Sequence, residues 1–274
     1  MMGDFIYSES KKDVHYNYAY QRGINKFLKR ILTFALLIVS GGILWFLLIS
    51  PFIMPARIDV NSIDGITRAD VLKFAGIASG ASYFSVNAQR VEQRLSNHYL
   101  VESAVVDKIF PGRISINIQP RQAIAMVYAR INGVIKPAYF DKKGIIFQIG
   151  DETSANIPSY LPVITGIYKE QDNINLGTRF SKMYLSLFNR MSMISDEDSS
   201  IWNAISEIEV VNITPGVYDL VLYPVFKSPK IRMSSDINKD NIFYALIMAE
   251  AAMNFRDIPE VIDIRSGNGV IYAR

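Results

Sequence analysis

Residues 101–119 read VESAVVDKIFPGRISINIQ, two apolar-rich runs divided by a Pro-Gly pair. In the second run Ile114, Ile116 and Ile118 alternate with Ser115 and Asn117, the period of two that sends successive side chains to opposite faces of a strand. Pro111 and Gly112 punctuate the two runs as a turn. The stretch therefore predicts a β-hairpin with one buried face, and such a face needs neighbouring segments to cover it.

Those segments lie just upstream. Ile58, Val60 and Ile63 fit a strand, Gly65 marks a turn, and Thr67 is placed to cap a helix carrying Val71, Leu72, Phe74 and Ala75. Gly76 and Gly80 interrupt it. Tyr83, Phe84 and Val86 return to a core, and Asn87 opens a second helix with Val91, Arg94 and Leu95 at helical spacing. The order is β-α-α-β-β within roughly 65 residues, a size that can hold a small core of its own.

Downstream, residues 123–274 are strand-rich. Residues 123–128, 138–140, 145–149, 207–211, 217–223 and 230–233 each carry β-branched or aromatic side chains between turn signals. Residues 179–193 predict a helix with Phe180, Met183, Tyr184, Leu187, Phe188 and Met191 on one face. Residues 238–254 predict another, through Phe243, Leu246, Ile247 and Ala251. A closing hairpin is expected from 261–265, a turn at 266–269 and a last strand over 270–274. The fold class is α+β, the second domain mostly antiparallel with flanking helices.

Towards the other end, residues 31–50 read ILTFALLIVSGGILWFLLIS, without one charge. A helix of that length rises about 30 Å, the hydrocarbon thickness of a bilayer. A cleavable signal has a shorter apolar stretch and a small-residue cleavage site, whereas Pro51, Phe52, Ile53, Met54 and Pro55 follow here. A single transmembrane helix in contact with membrane lipid is expected. Arg22, Lys26, Lys29 and Arg30 crowd its first end and only Arg57 stands close beyond the second, which places the N-terminus in the cytoplasm. Trp45, Phe46 and Phe52 lie towards the outer end, where bulky rings favour the interface. Residues 1–30 are polar and read as a short cytoplasmic tail.

Chemistry-bearing constellations are scarce. There is no cysteine, so neither a disulfide framework nor a thiolate metal site can form. Of two histidines, His15 falls in the tail and His98 beyond the span, so they cannot share a site. His98 follows a helix end, where an imidazole satisfies carbonyls or lies at the surface. Asp196, Glu197 and Asp198 read as a solvated loop, and no phosphate-binding glycine loop appears. The formal net charge of +3 is small and Lys and Arg are dispersed among acids, which gives no nucleic-acid footprint. No metal, cofactor or catalytic set is expected, and a binding or scaffolding role is.

With its anchor, the small unit resembles the POTRA module of the FtsQ/DivIB family of bacterial division proteins. That pattern runs from a strand ending in a glycine turn, here Ile63-Asp64-Gly65, through a helix to a glycine and aromatic pair, here Gly80 to Val86 with Tyr83-Phe84. It continues with a Leu-bearing helix, here Leu95, and a hairpin, here Ala104, Val106, Lys108, Phe110-Pro111, Ile114 and Ile116. The family's Glu-Arg-x-Pro-x-Ala segment is replaced by Pro120-Arg121-Gln122-Ala123-Ile124-Ala125, so Pro120 stands for the acid and Ala123 for the proline. Tyr139 to Phe147, Leu161 to Gly166 and the terminal Val261 to Arg265 with Gly269 to Tyr272 resemble three later family motifs.

The resemblance implies residues 56–122 as the POTRA domain and 123–274 as the family's β domain. It implies a non-enzymatic divisome scaffold in the cell inner membrane, enriched at the septum, with its C-terminal domains outside the cytoplasm. The implied partners are FtsB/DivIC-like and FtsL-like division proteins, with other divisome components possible, and the implied effect is regulation of septal peptidoglycan synthesis. An edge strand offers unpaired backbone groups to an added strand. Val270, Ile271 and Tyr272 are the expected edge, with Phe243, Tyr244, Ile247 and Glu250 as its neighbours. The alternatives are another POTRA-bearing assembly protein, which would carry a barrel or tandem modules, and an anchored cell-wall enzyme, which would need a clustered catalytic set.

Overall fold

The computed structural model describes residues 26–61, 66–150, 157–167, 174–226, 229–265 and 271–273, with backbone only at 50, 51 and 271–273. An apolar helix, α1 (Lys26–Ile49), opens it and winds more widely, as a π-helix, over Trp45–Ile49. Its described part takes in Lys26, Lys29 and Arg30 ahead of the uncharged stretch, all good helix formers. A short α2 (Ser50–Ile53) follows. None of the side chains in α1's apolar stretch is buried, so α1 is not a core helix: it is long and apolar enough to cross a membrane.

Next come β1 (Arg57–Val60), α3 (Arg68–Ala75), α4 (Ala88–Ser96), β2 (Val101–Ile109) and β3 (Arg113–Pro120), in the expected β-α-α-β-β order. The strands form a sheet ordered β1-β3-β2. Ile114, Ile116 and Ile118 are all buried, as the alternation requires. Thr67 caps α3 reciprocally: its hydroxyl accepts from the Asp70 N–H at 3.2 Å while the Asp70 carboxylate accepts from the Thr67 N–H at 3.1 Å. Gly76 ends the helix at φ 68°, a left-handed conformation that costs glycine little. The Ile63-Asp64-Gly65 turn lies outside the described residues.

The rest builds a nine-stranded sheet from β4 (Ala125–Ile131), β5 (Val134–Phe140), β6 (Ile146–Ile149), β7 (Val163–Thr165), β8 (Ile205–Thr214), β9 (Val217–Pro224), β10 (Lys230–Ser234), β11 (Val261–Asp263) and β12 (Ile271–Ala273). Its order is β12-β11-β10-β9-β8-β7-β4-β5-β6. Most junctions are antiparallel, but β4–β7, β7–β8 and β10–β11 are parallel, so the sheet is mixed. The helices are α5 (Leu185–Glu197), α6 (Ser199–Asn203) and α7 (Lys239–Ala252). Leu187, Phe188, Met191, Trp202, Ile242 and Ala249 from these helices join Ile164, Ile208, Leu220 and Leu222 of the strands in one apolar core. The opposite sheet face is polar: Tyr223 donates to Glu209 at 2.8 Å and Thr165 to Glu207 at 2.9 Å.

Three readings change. The helix expected over 179–193 starts later, because Arg179 bridges Ile145 and the Phe180 N–H donates to the Gly144 carbonyl. Asp198 is not merely solvated: it caps α6, accepting from the Ser200 and Ile201 N–H groups, while Asp196 and Glu197 complete α5. The strand expected at 123–128 is displaced to β4 and pairs with a β5 more than twice as long as the expected 138–140.

Compactness divides the described residues into two units. One holds those up to Asp59 with Ala78–Ala88 and Asp107–Ser115, and the other Val60–Ile77, Gln89–Val106 and Ile116 onward. The turn ends of β2 and β3 belong to the first unit and their remaining lengths to the second.

Candidate functional site

The expected site residues divide by what holds them. β12 ends the nine-stranded sheet and pairs antiparallel with β11, Ile262 opposite Tyr272 and Asp263 opposite Ile271. Among the described residues no strand lies on its other side, so its outward N–H and C=O groups have no ladder partner there. Val270 lies outside the described residues.

α7 owes its placement to a second capping box, Asn238 with Asn241, and packs over β10. Ile242, Ala245, Leu246, Ala249 and Ala252 face the core, which turns Phe243, Tyr244, Ile247 and Glu250 outward. Phe243 and Tyr244 are each 52% exposed and Ile247 46%. The three form an apolar face with nothing described packed on it.

Just before the terminal hairpin is a charge network that the sequence reading did not find. Asp219 of β9 accepts from Arg232 of β10 at 3.1 Å and from Arg265 beyond β11 at 2.8 Å, while Arg265 grips Asp263 through Nε and Nη2. The network laces three adjacent strands on the polar face and fixes β11, on which β12 is built. Asp219 is buried between Tyr218 and Leu220 in the run. Its alternation with Tyr218, Leu220 and Leu222 was the available signal, since it places the acid on the face away from the core. Hydrogen bonding from Arg265 holds the Asp263 carboxyl below the ordinary value of 3.8, against the opposing effect of burial. That contribution is complete above 3.8 and is lost as pH falls through the lowered value. Asp219→Ala should cost about 1–2 kcal/mol, a charged hydrogen-bond loss discounted for guanidinium exposure. Amide exchange should quicken in β11 and β12 first, in the variant at neutral pH and in the parent protein below pH 4.

A second buried charge pair ties residue 121 to the turn between β5 and β6 of the large sheet. Arg121 Nη1 meets Asp141 Oδ2 at 2.5 Å, with the two side chains 4% and 2% exposed. Arg121 Nε donates to the Tyr99 carbonyl at 2.8 Å, and Asp141 Oδ1 accepts from the Lys143 and Ile145 N–H groups. Arg121 Nε and Nη1 and both Asp141 carboxylate oxygens are thereby engaged, the kind of pairing under which buried charge is tolerated.

His98 sits between Phe74 and Tyr99, with ring centroids at 4.2 and 4.5 Å, and burial lowers its pKa. It packs as an aromatic, in keeping with a structural role. Among the described residues no cluster of three metal-ligating side chains occurs.

Residues 55–121 match the family model described as POTRA domain, FtsQ-type. The class defined by this match is that of a POTRA-bearing protein, with an FtsQ-type module at residues 55–121 ahead of a mixed sheet. Curated relatives include the cell division protein DivIB of Geobacillus kaustophilus, 29% identical over 46% of this chain and 45% of the relative. They also include the cell division protein FtsQ of Geobacter sp., 30% identical over 42% of this chain and 39% of that one, and FtsQ of Streptomyces coelicolor, 27% identical over 47% and 48%. The aligned part thus spans less than half the length of these relatives. The module match and these relatives together support the FtsQ/DivIB family for this chain.

Proposed function

We propose that this chain is a non-enzymatic, membrane-anchored scaffold of bacterial cell division. In this reading α1 spans the inner membrane with the N-terminus in the cytoplasm, and the POTRA module (56–122) and β domain (123–274) stand outside at the septum. An FtsB/DivIC-like partner adds a strand to β12, and the outward face of α7 takes apolar side chains of the same partner or of an FtsL-like one. Holding these proteins is how the chain would influence septal peptidoglycan synthesis.

The observation that carries the reading is the outer edge of β12, which has no partner strand among the described residues. Main-chain hydrogen bonds along such an edge supply affinity while alternate side chains supply specificity. The relatives' names support the cell-division setting, and α1 with its flanking Lys26, Lys29 and Arg30 supports the anchored topology.

The chain truncated by removal of residues 270–274 should fold, by its thermal transition, yet lose capture of an FtsB/DivIC-like protein from the same organism. Undiminished capture would refute the edge assignment. A reporter fused after Arg57 should be active only outside the cytoplasm, and cytoplasmic activity would reverse the topology.

A further inference from the structure

The first unit carries an apolar surface that the partner-binding reading does not use. Phe52, Ile53, Met54, Phe84, Ile109 and Phe110 are each about half exposed or more. They come from three separate segments: the chain leaving α1, the loop before α4, and the turn end of the β2–β3 hairpin. Side chains of this size usually face a core, and a contiguous exposed set marks a surface that meets something apolar.

The contacts within the unit say what that is. The Phe52 ring stacks on Phe84 with centroids 4.1 Å apart, Phe84 meets Tyr83 edge-on at 5.0 Å, and Tyr83 meets Phe110 edge-on at 6.1 Å. The aromatic chain thus begins on α2, which continues directly from α1, and ends at the hairpin tip. The backbone confirms the proximity: the Ala56 N–H donates to the Ala81 carbonyl and the Arg57 N–H to the Gly112 carbonyl, both at 2.8 Å. The tip therefore lies beside Arg57, just beyond the short stretch by which the chain leaves α2. Lys108 completes the group, its ammonium 4.5 Å from the Tyr83 centroid and bonded to the Val86 carbonyl at 2.9 Å. Aromatic rings with an adjacent ammonium are the composition favoured where hydrocarbon gives way to headgroups.

We propose that the tip of the module, through Phe84, Ile109 and Phe110, inserts into the interface of the lipid bilayer beside α1. The occupant of this surface is lipid, because the surface is continuous with the apolar helix and shares a ring stack with its extension. The inference rests on the reading of α1 as membrane-spanning. Its consequence is that the module is held to the membrane at two points, by the helix and by the hairpin tip, which restricts rotation about the short connection at residues 54–56. Insertion is driven by apolar burial, so it should occur in zwitterionic phosphatidylcholine, which carries no net charge.

The absence of native cysteine allows clean single-site spin labelling of the full-length chain. Ile109→Cys, Phe110→Cys, Ile38→Cys and Ser186→Cys would each be labelled with a nitroxide in phosphatidylcholine vesicles. Collision with oxygen would be compared with collision with a water-soluble nickel chelate. The labels at 109 and 110 should shift towards oxygen relative to the exposed Ser186 site on α5, in the same sense as Ile38 and to a smaller extent. Labels at 109 and 110 that match Ser186 while Ile38 reports lipid would overturn the insertion alone. A label at Ile38 that reports water would overturn the spanning of α1 and the insertion with it. Two independent tip positions guard against local misfolding at one of them.

Discussion

Asp141→Ala is expected to destabilise the unit formed by Val60–Ile77, Gln89–Val106 and Ile116 onward by about 3–5 kcal/mol, the cost of leaving a buried charge without its partner. Arg121 would remain almost wholly enclosed, its Nη1 facing a methyl group in place of a carboxylate. The loss is wider than one ion pair. Asp141 also gathers the Lys143 and Ile145 N–H groups into the turn before β6, and the Gly144 N–H returns to the Asp141 carbonyl at 2.7 Å. Replacing both members by apolar residues, Arg121→Met with Asp141→Leu, should therefore recover part of the stability but not all. The double variant relieves the stranded charge and still leaves the turn amides without an acceptor. Chemical denaturation of the two variants checks this, and equal stability of Asp141→Ala and the parent protein would contradict the pairing.

Gly166→Ala is expected to cost about 2–5 kcal/mol, from two causes that add. At φ 82° the backbone is left-handed, which penalises a Cβ by about 1–2 kcal/mol. The new Cβ would also lie 2.1 Å from the Val210 carbonyl oxygen of β8, and relieving such overpacking costs about 1–3 kcal/mol. The obstacle is backbone, so it cannot swing aside. The strand β7 that precedes Gly166 is held to β8 by a parallel pairing of three residues, and the substitution should prise that pairing open. By comparison Gly216→Ala, in a turn with no atom within 4 Å of the added carbon, should cost only the left-handed penalty. Thermal unfolding of the two variants separates the steric part from the conformational part.

Local patterns were legible and distant pairings were not. The hairpin at 101–119 announced itself by alternation, and both helices of the module followed from capping residues and spacing, all of them short-range signals. β7 was missed because three residues cannot display a period, and its parallel neighbours β4 and β8 are far from it in sequence. The first part of β5 was missed for a different reason. Asn132 and Gly133 make a two-residue turn, φ 51° and 82°, and Ile131 pairs with Val134 across it. Asn-Gly is a strong hairpin signal, but Val134, Ile135 and Lys136 are all exposed and carry no alternation.

The candidate site was read unevenly for the same reason. A closing strand at the edge and a helix with an outward apolar face are visible in one segment at a time. The Asp219–Arg232–Asp263–Arg265 network needs three strands to be in register before its charges meet. Arg121 and Asp141 stood in two motifs read separately, and only the fold brings them within 2.5 Å.

The scaffold reading depends on whether a partner adds a strand to β12, and backbone hydrogen exchange of the full-length chain measures that directly. On adding an FtsB/DivIC-like division protein from the same organism, exchange at Ile271, Tyr272 and Ala273 should slow, while β6, at the opposite end of the sheet, should keep its rate. Binding of that partner with unchanged exchange across 271–273 would contradict the account.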